Sequence, residues 1–341
     1  MLKCKFYLLS VALLIASLTK AQNITSTYAE KLGYPKGAKV LIIHVDDAGM
    51  SHDSNVGAIE ALTRGAANST SVMMPCPWVP EFVHFLKQHP GVDAGLHLTL
   101  TSEWKEYRWG PLSGKPVVPG LVDEEGDMWR SNANVVQHAS ADEVEKEIKA
   151  QLDRARTMGF EPTHLDSHMG TLFDSPEFLK RYMKVGMENH IPVMLPGGHN
   201  VLIQQDLNRP DAAELVKQMR SLGDMLWKAG LPVLDDLHNF SYGWKIPDSI
   251  ANDDDKLRDF KTEKYIAALQ LLQPGVTMMI MHCTDPSSTF KYISDSGPLR
   301  KSDLLAILNP VFKQALKDNK IILTTWRELM ERRMKVTKAI K

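Results

Sequence analysis

Cysteine is scarce in this chain, with three among 341 residues. Cys4 stands ahead of an N-terminal apolar run, where it is not placed to carry a lipid anchor. Only Cys76 and Cys283 remain, and two cysteines do not make the disulfide framework of a small secreted scaffold. Both follow predicted strand ends, so two buried thiols and one disulfide are both open readings. Charge of a single sign is also missing: 40 basic residues face 41 acidic ones, with no basic run and no acidic tail. That excludes the electrostatic footprint of a nucleic-acid binder. After the N-terminal run, no segment reaches the ~18 apolar residues of a membrane span. Internal repeats, low-complexity tracts and Pro/Ser linkers are absent too, which excludes a solenoid or a string of modules. One domain is the simplest organisation.

What is present begins with a leader. Lys3 and Lys5 give a basic start, Phe6 to Leu18 an apolar stretch, and Thr19-Lys20-Ala21 precede an expected cut before Gln22. Residues 1–21 are expected to be a signal peptide, and residues 22–341 an exported protein, periplasmic or extracellular. About 320 residues suit a closed α/β barrel, a fold that runs to about 250 residues or more.

Strand and helix patterns then alternate. Val40-Leu41-Ile42-Ile43 is a short β-branched run ending at Asp46. Strands are expected at 70–74, 92–98, 164–167, 192–195, 232–234, 276–281 and 321–324. Between them lie helical periods, including 54–62, 80–88, 175–189, 212–229 and 256–272. Ser140 with Glu143 is a capping-box pattern, and Val144, Ile148, Leu152 and Ala155 form the stripe behind it. A helix from Ser302 has to kink or split at Pro310, and a last helix begins near Trp326. Eight short strands alternating with helices imply a parallel sheet, with function at the carboxyl ends of its strands. Thr101 to Ala139 breaks the rhythm and is too long for an ordinary connection. Its aromatics, Trp104, Tyr107, Trp109 and Trp129, either wall a sugar site or fill the small core of a surface subdomain.

The chemistry-bearing residues fall just where strands end. Asp46 and Asp47 are adjacent carboxylates, and both ionised in a partly buried site call for a cation. His97 lies in an apolar Gly-Leu-His-Leu strand. In His164-Leu165-Asp166-Ser167-His168, alternation puts His164, Asp166 and His168 on one face. His168 is nearest the rim, Asp166 can orient a histidine, and His164 has a structural position. One carboxylate and two histidines from three strand ends make a metal site with open positions. The second carboxylate can then take a proton from water, and His282, closing a late strand, can act as general acid.

The chain resembles the YdjC/ChbG-type carbohydrate deacetylases, whose chemistry is like that of the polysaccharide deacetylases. The resemblance rests on four motifs in order between Val40 and Asp303. They are the Asp-Asp turn, the Gly-x-His-x-x-Leu strand, the His-x-Asp-Ser-His strand and the late strand ending in His282. It implies an α/β fold, a deformed TIM-like (β/α) barrel, with one divalent metal ion, magnesium or zinc. It implies hydrolysis of an acetyl group, as an N-acetyl amide, from a sugar or oligosaccharide. Carried over by motif, Asp47, His97 and His168 match the metal ligands and Asp46 the base. His282 matches the late histidine, and Arg300 and Asp303 a polar pair that follows it. Asp166, His164, Trp104 and Trp109 are expected around the ligands or the substrate.

Two departures stand out: Ala48 where the family turn has Phe, and Met169-Gly170-Thr171-Leu172 where many relatives carry further histidines. Three other classes compete. A glycoside hydrolase would use Asp46 with Asp166 and need no metal. A 2-His-1-carboxylate oxygenase would use His164, Asp166 and His282 with Arg300. A non-catalytic sugar-binding relative would keep the site and lose turnover.

Overall fold

The computed structural model describes residues 26–104, 106–207 and 211–340, so the expected leader at 1–21 lies outside the described residues. Seven parallel strands form one sheet: β1 Lys39–Ala48, β2 Ser69–Val72, β3 Ala94–Leu98, β4 Leu165–Ser167, β5 Asp236–His238, β6 Gly275–Met281 and β7 Ile322–Leu323. β1 is the hub. One edge pairs with β6 from Lys39↔Gly275 to Val45↔Met281. The other edge pairs with β7 at Val40 and Leu41, then with β2 from His44 onward. β2 carries β3, and β3 carries β4. Beyond β4 the ladder thins to single parallel bridges, Leu165↔Val193 and Pro196↔Leu234, before β5 joins β6. The circuit closes on itself, which makes a deformed TIM-like barrel with helices outside.

Two expected strands are corrected. Residues 192–195 form bridges rather than a ladder, and the strand expected at 232–234 has its ladder at Asp236–His238. Pro192 and Pro196 supply no N–H, so this stretch cannot sustain a run of strand bonds. The late helix also starts earlier than Ser302: Gly297–Leu308 is followed by Pro310–Asp318, and the break falls at Asn309 as Pro310 requires.

Side chains alternate along each strand. On β1, Leu41, Ile43 and Val45 pack under the outer helices, while Val40 and Ile42 join Val276, Met278 and Trp326 inside the barrel. The same inward face continues through His44 to Asp46. The interior is therefore apolar at its base and polar at its carboxyl end. Helix Ala141–Thr157 covers β3 with its Val144, Ile148, Leu152 and Ala155 stripe, and its Ser140–Glu143 capping box is formed.

The described residues of the 101–139 insertion pack into the main core and form no separate one. Trp109, Val118, Leu121, Met128 and Val135 belong to the main hydrophobic cluster. Its loop is held by Arg108, which donates to Asp123 at 2.6 Å, to Glu125 at 2.8 Å and to the Met128 carbonyl at 2.7 Å. Cys76 and Cys283 are buried free thiols. Among the described residues, no helix is long and apolar enough to cross a membrane.

Candidate metal and acid–base site

In a regular strand, Asp46 and Asp47 would point to opposite faces of the sheet. Asp47 instead takes a left-handed backbone, φ 67°, and the β1–β2 register slips between Val45 and Ala48. That local irregularity turns both carboxylates toward the same mouth. Strained backbone of this kind is uncommon for a non-glycine residue and clusters at functional sites.

Asp47 meets two imidazoles there. Its Oδ1 lies 3.3 Å from His97 Nε2 and 3.3 Å from His168 Nδ1. This oxygen is buried and accepts no hydrogen bond. Its Oδ2 takes a 2.6 Å bond from Arg300 Nη1. Burial would push the Asp47 carboxyl up, but the Arg300 guanidinium, His168 and His97 hold it well below the usual carboxylate range.

Each histidine is gripped by a second carboxylate on its other nitrogen. His97 Nδ1 is 2.6 Å from Asp166 Oδ1, and His168 Nε2 is 2.8 Å from Glu103 Oε1. The first contact was legible as an orienting role for Asp166. The second was not, because Glu103 comes from the insertion and no motif marks it. Burial alone would depress both rings. The carboxylates overcome it: His97 is raised well above an ordinary histidine, and His168 is pushed up to about 9.

A second missed residue lies beneath. His44 Nε2 is 3.1 Å from Asp46 Oδ1 and 3.0 Å from Asp166 Oδ2, with Ser69 and Ser71 hydroxyls each 3.0 Å from the ring. Its two carboxylates outweigh burial and lift it to about 9. His44 thus ties the expected base to the residue that orients His97. The signal was its inward position on β1, two residues before Asp46. His164 sits lower still, stacked on Trp326 at 5.2 Å and 3.6 Å from Asp166 Oδ2. Gly95 makes room for it: a Cβ there would come within 2.5 Å of the imidazole.

His282 reaches the rim from the opposite side, its Nε2 3.8 Å from Asp46 Oδ2 and its ring 4.7 Å from Tyr242. Burial pushes its pKa down, and its Nδ1 has no hydrogen-bond partner. The structure separates Arg300 from Asp303. Arg300 serves Asp47, whereas Asp303 accepts the His282 backbone N–H at 2.9 Å and is held by Lys261 and Tyr265, each at 2.7 Å. Asp303 therefore fixes the backbone of the strand end and leaves the imidazole free.

A cavity of about 660 Å³ opens over Asp46, Asp47, His97, His168, His282 and Arg300. Trp104 lines it, as expected. Trp109 does not: it is 4% exposed and packs behind Trp104 at 5.3 Å, so its place is the core. Asp166 and His164 are sealed below and do not line the cavity. Among the described residues, three carboxylate–imidazole groups are close enough to share an ion: Asp47 with His97 and His168, His44 with His164 and Asp166, and Asp46 with His97 and Asp166. Only in the first do all three members line the cavity. Its two nitrogens and one orphaned carboxylate oxygen are the donor set a divalent ion accepts while leaving positions for water and substrate.

A model of the YdjC-like protein family matches residues 40–318. A carbohydrate deacetylase of Thermus thermophilus is 29% identical over 302 residues, which are 89% of this chain and 97% of that protein. Another, from Thermoanaerobacter pseudethanolicus, is 26% identical over 288 residues, 84% of this chain and 98% of that protein. Among solved structures, a cellobiose-phosphate cleavage candidate from Enterococcus faecalis superposes with a TM-score of 0.65 at 21% identity, covering 86% of this chain and 99% of that one. That likeness concerns the fold. Since the family match runs from the first barrel strand through the penultimate helix, the chain belongs to the YdjC-like protein family.

Proposed function

We propose that this protein is an exported, divalent-metal-dependent carbohydrate deacetylase that hydrolyses an N-acetyl group of a sugar. The observation that carries the reading is the buried Asp47 Oδ1, which has no donor and faces two imidazole nitrogens at 3.3 Å beside a second carboxylate, Asp46. The two full-length relatives described as carbohydrate deacetylases supply the substrate class.

Asp47, His97 and His168 would hold the ion. Once bound, it supplies Lewis-acid polarisation of the amide carbonyl and a more acidic water. The remaining work falls to this chain's own groups. Asp46 accepts a proton from the attacking water as its oxygen bonds to the carbonyl carbon. His282 rests neutral, because burial holds its pKa down. It therefore has to gain a proton before it can give one, and Asp46 Oδ2 is 3.8 Å from its Nε2. The proton passes from Asp46 to Nε2 and on to the leaving amine as the C–N bond breaks. Acetate and the free amino sugar result. Arg300 keeps Asp47 ionised, and Trp104 offers a face for a sugar ring.

The site disfavours two of the competing readings. A glycosidase pair of Asp46 and Asp166 needs both carboxylates at the sugar, and Asp166 is 1% exposed behind His97 and His44. An oxygenase triad of His164, Asp166 and His282 would need His164 at an open site, and it is sealed against Trp326. The test is acetate release from a panel of N- and O-acetylated glycans, with and without chelator. Release from N-acetylated members that stops on chelation is the expected result. Glycosidic cleavage that survives chelation would refute the reading. N-terminal sequencing of the mature protein checks export, with Gln22 expected as the first residue.

A further inference from the structure

The cavity over the site has two unlike walls. One carries the acid–base groups just described. The other is made by Phe173, Met194, Ile203, Met219, Leu237 and Ile280, which come from six different parts of the chain. Four of these are at least nine-tenths buried with respect to solvent: Met194, Ile203, Leu237 and Ile280. The polar side chains that join them at this end include Gln218 and Asn239. The whole cavity, catalytic wall included, is about 660 Å³, room for about twenty waters at ~30 Å³ each. An acetyl methyl fills a small part of it. A sugar ring pressed against this wall would find few partners for its hydroxyl groups beyond Gln218 and Asn239, and each hydroxyl left unpaired is costly.

A different groove suits the sugar. It has a volume of about 380 Å³ and shares the Glu103–Trp104 corner with the cavity. Lys291 and the exposed ring of Tyr292 line it as well. The catalytic cluster thus stands between an aromatic, charged groove and an apolar chamber.

From this we propose that the substrate is amphipathic: an N-acylated amino sugar bearing an apolar substituent longer than an acetyl methyl, seated in the chamber. The inference rests on the amide-hydrolase reading of the same site and adds the chemical class of the substrate. Two attachments share this chemistry. The apolar chain is either the acyl group that is cleaved or an aglycone on the anomeric carbon. In the first case water adds to the acyl carbon, the C–N bond breaks, and a fatty acid leaves in place of acetate while the amine takes the proton.

Two substrate series separate these sources on the full, metal-loaded protein. One lengthens the N-acyl group of glucosamine from acetyl to octanoyl. The other lengthens the alkyl chain of N-acetylglucosamine glycosides. Each methylene that enters an apolar chamber is worth about fourfold. We expect kcat/KM to rise by about that factor per carbon along at least one series until the chamber is full. A rise with acyl length places the acyl chain there, and a rise with alkyl length places the aglycone. Ile203→Trp, which fills the chamber, and the milder Met219→Gln should flatten the rise, read as a loss of the kcat/KM ratio between the longest member of the series and N-acetylglucosamine itself. A flat or falling trend in both series, with diacetylchitobiose still hydrolysed, overturns this inference and leaves the deacetylase reading standing. If no amide is hydrolysed, the deacetylase reading fails. Calorimetric binding of the same two series then decides the inference: affinity that grows with chain length upholds it, and affinity independent of length overturns it.

Discussion

The barrel wall has two arcs that solve the closure problem differently. From β1 through β4 neighbouring strands pair over several residues, interrupted at the β1–β2 slip beside Asp47, and the inward residues of their carboxyl half are His44, Asp46, Ser69, Ser71, His97 and Asp166, with His164 just ahead of β4. From β4 round to β6 the wall is held partly by single bridges, and its inward residues are Met194, Leu237 and Ile280. Polar groups buried in the first arc meet one another at 2.6–3.1 Å, so their desolvation is repaid by paired charges. The second arc buries no such network at the cavity and relies on hydrophobic contact. The more fully paired arc thus carries the charged cluster, and the arc joined by single bridges carries the apolar wall.

Imidazoles make the same contrast. His44 and His168, in the first arc, are lifted to about 9 by carboxylates. His238, on β5, is buried among Phe240, Trp244 and Tyr265 with no partner on either nitrogen, and burial pushes it down to about 4. Burial is common to all three, so the neighbouring carboxylate decides the sign.

The largest expected effect lies in the first arc. Asp46→Asn should keep its ion and lose ~10²–10⁴-fold in turnover, the usual cost of losing a general base. Steady-state kinetics with metal analysis on one preparation checks both halves. If Asp46→Asn loses the ion while Asp47→Asn keeps it, the two aspartates exchange roles. Next in size, His282→Ala should lower kcat about 10²-fold with metal content unchanged. Substrates with activated leaving groups should suffer less, and equal losses on both kinds would argue against an acid role. Asp166→Asn should weaken metal affinity about 10–100-fold, because it removes the carboxylate that orients His97. Equilibrium dialysis reads this directly, and an unchanged affinity would demote Asp166 to packing.

The smallest effect belongs to the second arc. Above pH 6.5 both the folded and unfolded forms of His238 are neutral. Below it the unfolded imidazole takes a proton that the buried one refuses until about pH 4. Stability is therefore lost as pH falls through this window, by about 2 kcal/mol between pH 7 and pH 5 from this group alone. Urea unfolding of His238→Phe should show a shallower acid slope than wild type. An identical slope would mean that His238 has a partner for its proton.

Much of this was legible in the sequence. β1, the capping box at Ser140 and the break at Pro310 each carry a local physical cause, and local causes survive folding. That Asp47, His97 and His168 come together at one mouth was legible from strand-end positions together with the family motifs. What escaped depended on distant or irregular structure. The left-handed turn at Asp47 has no composition signal, and it alone sets both aspartates on one mouth. Glu103 is 65 residues before the histidine it grips. Trp109 and Trp104 look alike in sequence, yet one is core and the other cavity wall. The arc at 192–196 lost its expected strand because prolines remove the donors that a ladder needs.

The central claim is that one divalent ion is held by Asp47, His97 and His168. Metal analysis after gel filtration tests it most directly, comparing wild type with Asp46→Asn and His168→Ala. About one equivalent is expected in the first two and none in the third. An ion retained by His168→Ala, or lost from Asp46→Asn alone, would contradict it.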